Sequence, residues 1–122
     1  MSKVLVVDDD VMSCELLEKF FTMKGDDIYM AYDNIQASEM AMSVKPDIIL
    51  LDVMMLGEDS LAVLRRLRGS EHKVTITLLT AVKNIETAKN ALKMGADDYL
   101  TKPVNFALLE QKTASYLMKS RK

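Results

Sequence analysis

The chain has 122 residues, 49% of them hydrophobic and 28% charged, with a formal net charge of −2. That is one domain, residues 1–122, able to hide roughly two-thirds of its unfolded surface around a single core. The balance excludes an electrostatic footprint for direct nucleic-acid binding, and no apolar run reaches the roughly 18 residues of a membrane span. The only basic cluster, Lys119, Arg121 and Lys122 in the tail, is too short to alter this.

Val4-Leu5-Val6-Val7 is a continuous β-rich run that stops at three aspartates, Asp8, Asp9 and Asp10. Cys14, Leu17 and Phe21 then recur at helical spacing, with Leu16 and Phe20 beside them, until Gly25. Ile28 to Tyr32 reads as a second strand, and a helix follows through Ala37, Met40 and Ala41 to Lys45-Pro46. Ile48-Ile49-Leu50-Leu51 is the third strand and again ends on an acid, Asp52. Leu61, Leu64 and Leu67 mark the third helix, closed by Gly69. Val74 to Leu79 is the fourth strand, and Ile85, Ala88 and Leu92 form the next helical stripe up to Gly95. Tyr99-Leu100 is a short fifth strand before Lys102-Pro103, and Phe106, Leu109, Thr113, Tyr116 and Leu117 carry the last helix.

Five strands alternating with five helices predict parallel βαβ units with right-handed crossovers. The first and third strands are apolar throughout, so helices cover both of their faces. The fold class is α/β: a three-layer sandwich with a five-stranded parallel sheet in the flavodoxin-like order 2-1-3-4-5. Cys14 falls on an apolar helical stripe, which reads as a buried thiol; a lone cysteine excludes an internal disulfide framework and suits a reducing cytoplasm. His72 sits in a charged loop and reads as a surface residue, and the ten methionines read mostly as core filler. Met54 and Met55 are placed to line the mouth of the site described next.

In such a sheet, function lies beyond the carboxyl ends of the strands, where the strand order reverses. Asp8, Asp9 and Asp10 leave the first strand there and Asp52 leaves the third. Carboxylates crowded into one crevice repel, and a hard divalent cation with oxygen ligands, magnesium above all, relieves the repulsion. Thr80 ends the fourth strand with a hydroxyl, and Lys102 ends the fifth with a mobile positive charge. A metal, a hydroxyl and a cation around one carboxylate form a phosphoryl-binding pocket, with Asp52 as the nucleophile of an acyl phosphate. Each residue alone has a plainer reading. Asp9 or Asp10 could cap the first helix, Asp52 could be a turn residue, Thr80 a β-former and Lys102 a solvated charge. Only their convergence on one crevice points to phosphoryl chemistry.

Four segments carry a resemblance over nearly the whole length: Val4 to Asp10, Pro46 to Met55, Thr77-Leu78-Leu79-Thr80-Ala81, and Gly95-Ala96-Asp97-Asp98-Tyr99-Leu100-Thr101-Lys102-Pro103. In this order and spacing they resemble the receiver domains of two-component response regulators. The resemblance implies Asp52 as phosphoacceptor, a regulatory role rather than an enzymatic one, and a phosphohistidine donor on a sensor histidine kinase or phosphotransfer protein. It implies Mg2+ held by Asp9 and Asp52 directly, by Asp8 through water, and by the Met54 carbonyl. Lys102 and Thr80 would contact phosphoryl oxygens, small Ala81 would leave them accessible, and Tyr99 would turn inward when Thr80 moves. The Lys102-Pro103 bond would be cis. The face of the fourth helix, fifth strand and fifth helix would signal to an output domain or target protein, or form a homodimer. Two positions depart from the usual pattern, Leu56 for a proline and Ser60 for a glycine, and Met54 and Val82 stand where phosphate lifetime is tuned.

Two other functions compete. A haloacid-dehalogenase-type phosphatase would use Asp8 as nucleophile, with Thr80, Lys102 and Asp97-Asp98, but the chain has no room for a cap domain. A phosphorylation-independent docking module on the same fold would not need the full set of acids, Thr and Lys. The ending near the fifth helix fits a stand-alone messenger, and fits somewhat better the amino-terminal piece of a longer regulator.

Overall fold

The computed structural model describes residues 2–57, 60–69 and 73–120, the last two without their side chains. His72, Arg121, Lys122 and the Lys119 side chain lie outside the described residues. The elements are β1 (Lys3–Val7), α1 (Val11–Met23), β2 (Asp27–Ala31), α2 (Asn34–Val44), β3 (Ile48–Asp52), α3 (Ser60–Arg68), β4 (Thr75–Thr80), α4 (Ile85–Lys93), β5 (Asp98–Thr101) and α5 (Phe106–Ser120). Short 3-10 turns, Val53–Met55 and Val82–Asn84, follow β3 and β4.

All strand pairs are parallel, in the order β2-β1-β3-β4-β5. Period-two alternation splits the apolar strand residues between two cores. Leu5, Val7, Ile49, Leu51, Ile76 and Leu78 face α2, α3 and α4 through Ala37, Leu64, Leu67, Ala88 and Ala91. Val4, Val6, Ile48, Leu50, Leu79 and Leu100 face α1 and α5 through Cys14, Leu17, Phe21 and Leu109. Every residue of β3 is buried, as an apolar strand between two helical layers requires. Phe21 is fully buried, and removing a side chain of that size from water contributes roughly 1.5–3 kcal/mol.

Register carries this packing to the site. Val7 pairs with Leu51, Asp52 with Leu79, and Thr80 with Thr101. The residues at and just past these strand ends therefore meet at one edge of the sheet.

Three sequence expectations shift. β2 stops at Ala31 because the Tyr32 N–H donates to Gln36 Oε1, while Gln36 N–H donates to the α2 cap Asp33. This reciprocal bonding belongs to the helix start, not to the sheet. β4 begins at Thr75, since the Val74 carbonyl accepts from Arg68 Nη1 at 2.7 Å. The methionines are not mostly core: Met12, Met23, Met42, Met54, Met94 and Met118 are exposed. Most of these occupy outward helical positions, where an unbranched side chain favours the helix without needing burial.

Candidate functional site

Asp10 resolves the first ambiguity. It caps α1, accepting from the Met12 N–H at 3.1 Å and the Ser13 hydroxyl at 3.0 Å. Asp8 and Asp9 are thereby left at the strand end. Asp8 is fully buried; its N–H donates to the Ala31 carbonyl, and its Oδ1 accepts from the Asp10 N–H at 2.9 Å. Asp9 is exposed at the crevice edge.

Carboxylate oxygens of Asp8, Asp9 and Asp52 lie within 4.8 Å of one another. Lys102 reaches between two of them, its Nζ 3.0 Å from Asp8 Oδ2 and 3.2 Å from Asp52 Oδ2. The Lys102 N–H donates to the Thr80 carbonyl at 2.8 Å, so the ladder fixes the base of this long side chain. The Lys102–Pro103 peptide bond is cis.

Burial pushes the Asp8 carboxyl above its ordinary range; the Asp10 N–H and Lys102 oppose this, and the Asp52 charge reinforces it. Burial would lower the Lys102 ammonium, but hydrogen bonding to Asp8 and the charges of both acids raise it. The ammonium stays charged because it stands where two anions need it.

Thr80 is fully buried at the end of β4, its hydroxyl donating to the Ala81 carbonyl at 2.9 Å. Ala81 is half-buried beside it, and Tyr99 is half-buried on β5 against the core that includes Leu78 and Ala88. In the turn after β3, the Met54 N–H donates to Asp52 Oδ1 at 3.0 Å, while the Met54 side chain is 68% exposed at the mouth. Met55 is half-buried, packed on the core rather than at the opening.

The donor set fits a hard cation. Among the described residues it is three carboxylates, with no histidine nitrogen or thiolate. Cys14 adds nothing: its thiol is 1% exposed, contacts the Asp8 carbonyl, and is pushed up to about 11 by burial, with Asp8 and Asp10 adding to the effect.

Two contacts were not legible in the sequence. Asn34 Nδ2 donates to the Met55 carbonyl at 2.7 Å, and Asn84 Nδ2 approaches Met54 Sδ at 3.4 Å. Polar residues at helix starts read as caps, and nothing in the spacing says that these two reach across to the turn after β3.

A doubly wound parallel sheet with acids, a hydroxyl and an ammonium at its carboxyl edge defines a flavodoxin-like domain with a site suited to phosphate chemistry. The model of the response regulator receiver domain matches residues 4–114, and the chain belongs to that family, the phosphoacceptor modules of two-component systems. It is 42% identical over 108 residues to the response regulator MprA of Mycobacterium tuberculosis, covering 88% of this chain and 46% of that protein. The same identity and coverage hold for MprA of Mycobacterium ulcerans. The chain thus spans about half the length of these relatives. A two-component response regulator from Clostridium difficile superposes with a TM-score of 0.89 at 30% identity, covering 100% of both chains. The receiver domain of the Francisella response regulator 1452 gives 0.83 at 30% identity, over 98% of this chain and 99% of that one.

Proposed function

We propose that Asp52 is the phosphoacceptor of this receiver domain. The observation that carries the reading is the Lys102 ammonium, held between Asp8 and Asp52 at 3.0 and 3.2 Å. A cation so placed stabilises negative charge arriving at Asp52. An Asp52 carboxylate oxygen attacks the phosphorus of a phosphohistidine, a P–O bond forms, the P–N bond breaks, and the imidazole leaves neutral after taking a proton.

Asp9 and Asp52 would hold Mg2+ directly, Asp8 through water, and the Met54 carbonyl would complete the protein's share. The ion would neutralise charge on the phosphoryl oxygens. Asp8 keeps Lys102 oriented, Thr80 donates to a phosphoryl oxygen once its hydroxyl leaves the Ala81 carbonyl, and Ala81 leaves room for it. Tyr99 follows Thr80 inward and alters the face formed by α4, β5 and α5. That face signals to an output domain or target protein, and homodimerisation through it is the same reading extended. The chain acts as a regulatory phosphoacceptor and takes its phosphoryl group from a sensor histidine kinase or phosphotransfer protein. None of the described helices is long and apolar enough to cross a membrane.

The phosphatase reading loses support at Asp8. A nucleophile needs an accessible oxygen, and Asp8 has no exposed surface, whereas Asp52 keeps 8% of its surface open. Acetyl phosphate with Mg2+, followed by mass-spectrometric mapping, tests the assignment. A labile adduct on Asp52 that needs Mg2+ is expected. An adduct on Asp8 would overturn it, and no adduct at all would favour a docking module.

A further inference from the structure

The turn Val53–Met55 links β3 to the approach of α3, and it must hold still for its backbone to serve a bound ion. Its sequence, Val53-Met54-Met55-Leu56, contains no proline, so no ring restrains φ and hydrogen bonds must do the holding. Two of these are local: Met54 N–H to Asp52 Oδ1 at 3.0 Å and Leu56 N–H to Val53 O at 3.2 Å. The first depends on the acceptor itself, because an oxygen of Asp52 that takes a phosphoryl group ceases to be a full carboxylate acceptor.

Among the described residues, one side chain from beyond the adjoining β3 bonds this turn's backbone: Asn34 at the start of α2, whose Nδ2 donates to the Met55 carbonyl at 2.7 Å. The carbonyl can only accept, so the orientation of the amide is forced. Among the described residues, that orientation leaves Asn34 Oδ1 buried without a protein hydrogen-bond partner. An orphaned buried carbonyl opposes stability, so the residue is poorly explained as a device for stability alone. It is neutral, outside the acid cluster, and unaffected by the charge state of Asp52.

We propose that Asn34 is a positioning residue. It clamps the far end of the turn after β3 and so keeps the Met54 carbonyl oriented toward Mg2+ while Asp52 exchanges partners. The inference rests on the Mg2+ site described above.

The test is Asn34→Leu, which keeps the γ-branched outline while removing both the donor and the orphaned carbonyl; Asn34→Ala serves where the bulkier leucine disturbs the helix start. Amide hydrogen exchange at Met55 and Leu56 is measured in metal-free protein, and Mg2+ affinity is measured from amide shifts of residues 53–56. Losing one such hydrogen bond should speed exchange about tenfold and weaken Mg2+ binding about three- to tenfold, with the thermal midpoint unchanged or raised. Wild-type exchange and wild-type Mg2+ affinity in both variants would overturn the clamp. So would weaker binding that merely tracks a fall in thermal midpoint. Wild-type protein that binds no Mg2+ would instead sink the site reading, and the clamp with it.

Discussion

Lys102 Nζ stands 3.2 Å from Asp52 Oδ2, joining residues at the ends of two strands that do not touch in the sheet. The same nitrogen also bonds Asp8, so one cation compensates two largely buried anions. Lys102→Met keeps the stem and removes the charge. Because Lys102 is a quarter exposed, the loss in metal-free stability should be about 1–3 kcal/mol, below the full cost of breaking a buried pair. Mg2+ should restore more stability in the variant than in wild type, since it then faces unpaired carboxylates. Phosphorylation by acetyl phosphate should slow on the order of 100-fold. Urea melts with and without Mg2+ check the first part; a variant as stable as wild type without the ion would refute it.

Thr80 supplies the second prediction. Its hydroxyl donates to the neighbouring Ala81 carbonyl, so contact with a phosphoryl group requires it to change partner. Thr80→Ala should still accept a phosphoryl group on Asp52, roughly tenfold more slowly for the loss of one hydrogen bond. The shift changes of Tyr99 and the β5 amides seen when wild-type protein is phosphorylated should disappear, and Thr80→Ser should restore them. A full β5 response in Thr80→Ala would mean that the hydroxyl is not the link.

The fold was readable because β1 and β3 are apolar at nearly every position, a pattern that only a sheet covered on both faces explains. Strand ends follow from such runs, so Asp8, Asp52 and Thr80 were readable too. Asp10 was not separable from Asp9 as a cap, because both precede a helix and only the backbone turn decides which oxygen meets the Met12 N–H. The reach of Lys102 to Asp8 depends on the path of the chain after β5, which no local pattern encodes. Outward methionines were misread because apolarity marks the buried face of a helix only when the residue has no other reason to be there. Asn34 was missed for a related reason: a polar residue at a helix start is explained before its long-range contact is considered.

Cys14 tests the depth of the α1 packing beneath the site. Its thiol is 1% exposed and, with its ionisation pushed up to about 11, exists as the unreactive thiol at neutral pH. Iodoacetamide at pH 8 should leave folded protein unmodified over the time in which urea-unfolded protein reacts completely. Mg2+ should slow any residual labelling further by favouring the closed form. Rapid stoichiometric labelling of the native state would show that α1 opens far more readily than its packing implies.

Asp98 ties β5 to α5. Its Oδ2 accepts from Lys112 Nζ at 2.6 Å and from the Tyr116 hydroxyl at 2.8 Å, and its Oδ1 accepts from the Tyr99 N–H. One carboxylate thus bridges β5 and α5. Burial alone would raise its pKa, but the bonds from Lys112, Tyr116 and Tyr99 outweigh that and hold it below the ordinary carboxylate range. A carboxyl depressed in the fold stabilises the protein at pH values above its unfolded value, near 3.9, and that stabilisation is lost as pH falls through the folded value. Asp98→Asn should therefore cost about 1–2 kcal/mol at pH 7, the partial exposure discounting a charged hydrogen bond. The gap to wild type should stay constant down to about pH 5, begin to narrow near pH 4, and close only below the depressed folded value of Asp98, where both proteins present a neutral group. On the alkaline side, burial and then the Asp98 charge push the Tyr116 phenol above its usual range. Stability should fall as pH rises past about 10, where unfolded tyrosine ionises and the folded phenol does not. Urea melts of both proteins across pH 3–11 check the two limbs together. A gap that persisted undiminished at pH 3 would mean that Asp98 acts by shape rather than charge.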